Sequence, residues 1–541
     1  MFQLLRLLLG FSRQINQNRN RPAHSGQTSL PTDIQPGALP VDLEDKISHL
    51  QNRMGGSSDF VIRKISSSSS AGPAIAISYI EGLVDIHRLS IIMEALVNSS
   101  RNELGDSLRA EGWIKEHLPV GSIHMLHTEN HLLRSVLGGN AVLMIDGLRT
   151  AFSANIAGGA RRSVEEPSSQ TVIRGPKEGF TEDIAVNLAL LRRKIRSPDL
   201  RLESRILGRY TQTQVTVAYI KGVANPEVVQ EISSRLDSIH TDSILESGYI
   251  EEFIQDGVIS PFPTLYNTER PDTVAGGLLE GLVAVFVDGT PFALIAPVTF
   301  FRFIASSEDY YQRYDISSFL RLVRFAAFFV ALLLPAVFIA TTTFQQEMLP
   351  TTLLITLAAQ RENTPLPALM EALIMELTFD LIREAGVRMP RAVGPAISIV
   401  GALVLGQAAV QAGIVSAAMV IVVSFTAICN FVLPAINMSA SIRLLRFMLM
   451  ILAGNFGLFG ILAGIIPILL HLTSLQSFGI PYMMPLAPFK FANFKDLFFR
   501  APWWKMKNRP ELIGKENMQR AADEPAAYAE KAVDHKRDSL K

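Results

Sequence analysis

Residues Ala392–Ile442 read AVGPAISIVGALVLGQAAVQAGIVSAAMVIVVSFTAICNFVLPAINMSASI and contain no Asp, Glu, Lys or Arg. A helix needs about 20 apolar residues to span a bilayer, so an uncharged run of roughly 50 is long enough to cross twice. Gln411-Ala412-Gly413 offers the turn between the two crossings. Gly401, Gly406, Ala408 and Ala409 are small enough for close approach of a neighbouring helix. A helix in a soluble core rarely runs so far without a charged outer face. This stretch therefore assigns the second half of the chain to a membrane.

Charge and composition bound what surrounds it. Lys plus Arg and Asp plus Glu number 50 each in 541 residues, so no basic excess points to nucleic acid. The mean hydropathy of +0.25 is carried almost wholly by residues after Phe319. Cys429 is the single cysteine and lies in an apolar run, which excludes disulfides within the chain and thiolate zinc clusters. No phosphate-binding glycine loop, zinc-protease helix or nucleophile elbow occurs. His124, His127 and His131 come nearest to a histidine cluster and read as a solvated helix or loop face. No cofactor, metal site or catalytic residue is expected, and the chain is not read as an enzyme.

The first half carries an internal repeat. Ile77-Ser-Tyr79-Ile-Glu-Gly82-Leu-Val-Asp85 matches Val217-Ala-Tyr219-Ile-Lys-Gly222-Val-Ala-Asn225, each a strand entering a helix capped by Asp85 or Asn225. Gly139 to Asp146-Gly147 matches Gly281 to Asp288-Gly289, each a strand running into an Asp-Gly hairpin turn. The near-constant spacing predicts two related subdomains. By this repeat, apolar Pro291–Ile304 is a soluble strand region, not a membrane span. Between the subdomains, Arg174–Arg196 predicts a strapping helix capped by Thr181, with a stripe of Ile184, Leu188, Leu191 and Ile195.

The expected fold is an α/β soluble N-terminal half of two repeated subdomains followed by an all-α multi-pass membrane domain. Residues 1–58 read as a disordered arm, 59–160 as the first subdomain, 161–199 as the connecting helix and 200–318 as the second subdomain. Residues 319–489 read as about five crossings plus a broken re-entrant segment at Thr473–Phe489, and 490–541 as a basic, then charged tail. Lys and Arg near the helix ends, among them Arg321, Arg324, Arg443 and Arg446, place both termini in the cytoplasm.

Two sets of residues stand out in the membrane half. Glu376, Asp380 and Glu384 recur every fourth residue on an otherwise apolar helix, and intramembrane acids usually mark pathways. They are the candidate ion pathway; the alternative is a helix at the interface with its acids in headgroup water. Leu403, Gln407 and Gln411 share a helix face and are the candidate gate, an apolar constriction beside a polar funnel. The alternative there is ordinary packing between helices.

The motifs VIRGPKEGFTEDIAVNLALLRRK, SPFPTLYNTERPD, DGTPFALIAPV, SEDYYQRY, LPTTLLITLAAQRENTPLP, FDLIREAGVRMPRAVGPAISIVGALVLGQAAV and SFGIPYMM follow one another from about Glu165 to Phe489. In them the chain resembles the A subunits of bacterial spore germinant receptors, the GerA family. The resemblance implies a membrane subunit of a nutrient receptor in the spore inner membrane. It would act with a transporter-like B subunit and a lipoprotein C subunit. It also implies self-association into a ring that serves as a ligand-gated ion channel in contact with membrane lipids. The alternative within the family is an accessory spore membrane channel protein that amplifies germination without sensing a nutrient.

Overall fold

The stretch LEDKISHLQNRM places Leu43, Ile47, Leu50 and Met54 on one stripe, and it folds as helix α1 (Leu43–Met54) with that stripe buried. The expected disordered arm is thus interrupted. A polar composition hid an amphipathic helix whose apolar face needs a sheet to cover it. The computed structural model describes residues 38–65, 74–97, 107–118, 122–158, 167, 170–362, 364–388, 406–489, 496–506, 508–509, 517 and 519–520. The apolar start Met1–Phe11 and most of the charged tail lie outside them.

Strands β1 (Phe60–Ile65) and β2 (Ile75–Ile80) follow α1, then helices α2 (Ile86–Val97) and α3 (Ser107–His117), strand β3 (Ile123–Leu126), helix α4 (Glu129–Leu137), and strands β4 (Ala141–Ile145) and β5 (Ala151–Ala154). The second unit repeats this order element for element. It runs α5 (Ile184–Lys194), β6 (Leu200–Leu207), β7 (Thr213–Ile220), α6 (Pro226–Asp237), α7 (Ser247–Ile254), β8 (Tyr266–Thr268), α8 (Pro271–Glu280), β9 (Val283–Val287) and β10 (Ala293–Ala296). The two five-stranded sheets share one strand order, β1-β2-β4-β5-β3 and β6-β7-β9-β10-β8. Neighbouring strands are antiparallel throughout.

The repeated Asp-Gly turns have a second use. Asp146 accepts a hydrogen bond from the Leu43 N–H at 3.1 Å, and Asp288 accepts one from the Ile184 N–H at 3.2 Å. Each carboxylate thus satisfies an open N–H at the start of its unit's first helix, where negative charge is favoured. Helix α5 therefore opens the second unit, as α1 opens the first. Its N-cap is Asp183, which accepts from Ala185 N at 2.8 Å, and not Thr181, whose N–H instead bonds Asn187. Helix α5 also straps the units together. Arg192, fully buried, bonds Asp59 at 2.6 and 2.9 Å and Ser57 at 2.7 Å. Asp85 and Asn225 cap α2 and α6 as the sequence predicts.

The helical half comprises α9 (Tyr314–Thr343), α10 (Thr351–Glu362), α11 (Ala368–Arg388), α12 (Gly406–Gln411), α13 (Ala417–Val432) and α14 (Ile436–Ser474). Helices α9 and α14 are long and apolar enough to cross a membrane. One apolar core joins the second sheet to this half through Phe300, Phe301, Phe325 and Phe328. Ala435 and Ile436 close the expected second central crossing early, because Pro434 cannot continue α13.

Helix α14 is not one rod. A straight helix would hold Asn437 and His471 about 50 Å apart. Both instead bond to one short stretch of the second unit, Asn437 to Glu251 at 3.3 Å and His471 to Ser260 at 2.7 Å. The reversal is at Gly457, whose φ of 61° and ψ of −143° are non-helical. Legs 436–456 and 458–474 lie side by side, so close that a Cβ on Gly464 would stand 2.6 Å from Leu449 Cδ2. We call the end of the helices at the second unit near and the end at Gly457 far.

The broken segment Thr473–Phe489 packs against the second unit. It turns at Phe478-Gly479, both with positive φ, in a two-residue ribbon. Ser477 bonds Val298 N at 3.0 Å and Thr264 O at 2.8 Å, and Tyr482 bonds Pro263 O at 2.8 Å. Its Ser477 and Tyr482 hydroxyls and the Tyr482 carbonyl, which accepts from the Phe300 N–H at 2.9 Å, thus find partners on the second unit.

Candidate functional site

The acidic row lies on α11 and meets arginines of α14. Glu376, 1% exposed, pairs with Arg446 at 2.8 Å. One turn nearer the second unit, Asp380 lies 3.4 Å from both Arg383 and Arg443. Glu384 is exposed and pairs with Arg388 at 2.7 Å along its own helix. The row is therefore a ladder of ion pairs running from a dry rung to a wet one. In the dry part, Glu376 Oε1 and Arg446 Nε and Nη1 have no partner among the described residues.

The sequence did not single out a fourth acid, Glu371. It is fully buried at the far end of α11 and accepts from the Ser416 hydroxyl at 2.6 Å and from its backbone N–H. It thus tethers the start of α13, which Ser416 caps. The signal was present: a Ser after the Gly413 turn marks a helix start, and an open helix start attracts a carboxylate.

Of the candidate gate residues, Leu403 lies outside the described residues. Gln407 and Gln411 stand exposed on α12, before a turn at Gly413 with φ of 68°. Nothing in the described chain brings them to the acidic row.

Two of the arginines expected to mark the membrane surface are largely enclosed. Arg321, 1% exposed, bonds Asp309 at 3.2 Å and Asp496 at 2.8 Å, and Arg324 bonds Asp309 at 2.7 Å. Asp309 is held in place by a capping box with Ser306. These charges clamp the start of α9 to the tail, because burial requires each guanidinium to have a carboxylate.

Where the second unit meets the helices, a cleft of about 810 Å³ opens. Arg270, Arg324, Arg383, Arg443, Glu308 and Glu384 line it. Beside it, on α7, burial and then the nearby Glu246 carboxylate push Glu251 up to about 7, against a smaller opposing pull from the Asn437 amide.

The comparisons with known proteins agree with this architecture in extent. Residues 48–512 match the family model described as Bacillus/Clostridium GerA spore germination protein, which extends the resemblance into the first unit. Spore germination protein KA of Bacillus subtilis (strain 168) is 46% identical over 498 residues, 91% of each chain. Uncharacterized membrane protein YfkQ of the same organism is 45% identical over 491 residues, 91% of this chain and 95% of its own. The crystal structure of the N-terminal domain of the A subunit of the Bacillus megaterium spore germinant receptor GerK3 is 42% identical. It covers 49% of this chain and 99% of that one, with a TM-score of 0.40. An apolar helical half joined to a repeated pair of sheets, with relatives matched over most of its length, makes this chain a member of the GerA family of spore germination proteins.

Proposed function

We propose that the chain is the membrane subunit of a nutrient germinant receptor. It acts in an oligomeric ring as a ligand-gated ion channel, with a transporter-like B subunit and a lipoprotein C subunit. The units are residues 59–160 and 200–318, each extended to include its opening helix, and the membrane domain begins at the start of α9. The observation that carries the reading is the Glu376–Arg446 pair, buried between apolar helices with three polar atoms unpartnered among the described residues. Ionisable groups at membrane depth are costly, and they are kept where ions or protons move.

A multi-pass path with both termini in the cytoplasm is supported by the helix directions and by the Lys and Arg near the helix ends. Helix α9 leads from the second unit to the far end, where Phe344 approaches Gly457. Helix α11 returns, from Leu369 beside Gly454 to Asp380 beside Arg443. The chain leaves α11 near and enters α13 far, at Ser416 beside Glu371. Helix α13 comes back, and the legs of α14 go out and return. The number of traverses is even, so the soluble units and the tail share a side.

The test replaces the native gene with variants and follows nutrient-triggered cation release from spores. Glu376→Gln with Arg446→Gln keeps the rung neutral and hydrogen-bonding, and should abolish triggered release at normal protein level. Wild-type release from this double variant would overturn the pathway. Leu403→Ala should release cations without nutrient, and a normal silent state in that variant removes the gate.

A further inference from the structure

The junction cleft lies level with the near ends of the helices. Arg383 is in the last turns of α11, Asn430 and Phe431 end α13, and Arg443 is in the second turn of α14. Its walls differ in kind. On one, Arg383 and Arg443 share a single carboxylate, Asp380, and so retain one positive charge between them. Among the described residues Arg443 Nε is buried without a partner, and so is the side-chain oxygen of Asn430, 5% exposed. These atoms offer a donor and an acceptor to something that enters. On the other wall Phe431 is 67% exposed and Ile436 54% exposed. Glu308 and Glu384 also line the cleft, so it suits one anionic group and disfavours a polyanion.

We propose that the junction cleft holds the phosphate headgroup of an anionic phospholipid from the leaflet that faces the second unit. The phosphate sits on Arg383 and Arg443. A headgroup hydroxyl donates to Asn430, and an acyl chain lies over Phe431 and Ile436. A free anion of the same chemistry would gain nothing from the apolar wall. Basic pockets between helix ends on the cytoplasmic side are suited to such headgroups. The inference rests on the reading that the helical half lies in a bilayer.

The test uses the full chain purified in mild detergent and titrated with phosphatidylglycerol, phosphatidylcholine or inorganic phosphate, with bound lipid counted by native mass spectrometry. One phosphatidylglycerol per protomer should bind saturably, about fivefold more tightly than phosphatidylcholine, the ratio expected for one charge pair near a membrane surface. Arg443→Gln should weaken phosphatidylglycerol about fivefold, and Glu384→Gln should strengthen it about as much. A gain in affinity cannot come from misfolding. Equal binding of the two lipids, or affinity indifferent to both substitutions, overturns the proposal. Inorganic phosphate binding as tightly as phosphatidylglycerol overturns it in favour of a soluble anion. Recovery of the chain in the supernatant of sedimented membranes overturns the membrane reading and the lipid proposal with it. Pelleting together with indifferent binding overturns the proposal alone.

Discussion

Arg192 joins the two α/β units through Asp59 and Ser57, and all three are buried. Replacing it with Met would strand the Asp59 carboxylate in a closed space. Arg192→Met should lower stability by about 3–5 kcal/mol, the usual result of breaking a buried pair from one side. Arg192→Met with Asp59→Leu should recover most of that loss. Urea unfolding of the purified chain measures both. Glu251 makes a second prediction. Its folded pKa of about 7 lies above its ordinary value of 4.5. The folded state therefore favours the protonated acid, so this stabilisation is complete below pH 4.5 and lost as pH rises through 7. Partial exposure limits it to about 1–2 kcal/mol. Glu251→Gln should flatten the dependence of the melting temperature on pH between 4.5 and 7. Neither role was legible in the sequence. Arg192 read as a cation that the helix dipole favours at the end of α5, because its carboxylate partner lies 133 residues away. Glu371 was not singled out for the same reason: Ser416 comes beside it only after the helices pack.

At the scale of elements, the repeat was legible because its signals are local. Tyr79 and Tyr219, and the Asp146 and Asp288 turns, keep their spacing, and each turn forms within a few residues. The extent of the repeat was not legible. Helix α1 shows its stripe only when a sheet is there to cover it, and α5 read as a linker because it touches both units. The hairpin of α14 was missed because a glycine in an apolar run also suits close helix packing. Gly457 is required by conformation, since φ of 61° disfavours any Cβ, and a Cβ there would meet Gln345 and Phe344 within 3 Å. Gly457→Ala should cost at least about 1–2 kcal/mol from the backbone alone. A short flexible bis-maleimide should join Ser260→Cys to His471→Cys in the parent and join them poorly in the Gly457→Ala background, read as a gel shift. Equal cross-linking in both would show that the reversal does not depend on this residue. The seat of the uncharged segment after α14 was not legible for another reason. Its Ser477 and Tyr482 hydroxyls are matched by backbone groups of Pro263, Thr264 and Val298, which hydropathy does not register.

For the whole molecule, the path of the helices predicts that the soluble units and the tail lie on one side. Protease added to sealed, right-side-out vesicles should spare both, and added to inverted vesicles should cut both. Cleavage of one end alone in either preparation would break the even count of traverses. The expectation of a membrane half started from Ala392–Ile442, but the helices long and apolar enough to cross are α9 and α14, and residues 392–405 of the uncharged run lie outside the described residues. The candidate site was legible only as a row of acids. The arginines that answer them come from another helix, and their pairing turns a row of charges into a ladder. The hairpin has a mechanical consequence. Its two free ends are both held by the second unit, at Glu251 and Ser260, while its bend rests at the opposite end of the helices. That makes it a pair of tweezers with Gly457 as the fulcrum. Each arm is about 25–30 Å long, so pivoting one by about 10° carries its tip about 5 Å. Because both tips are tied to one stretch of the second unit, a displacement of that unit is passed almost undiminished to Arg443 and Arg446, which ride near one tip, and dies out toward Gly457.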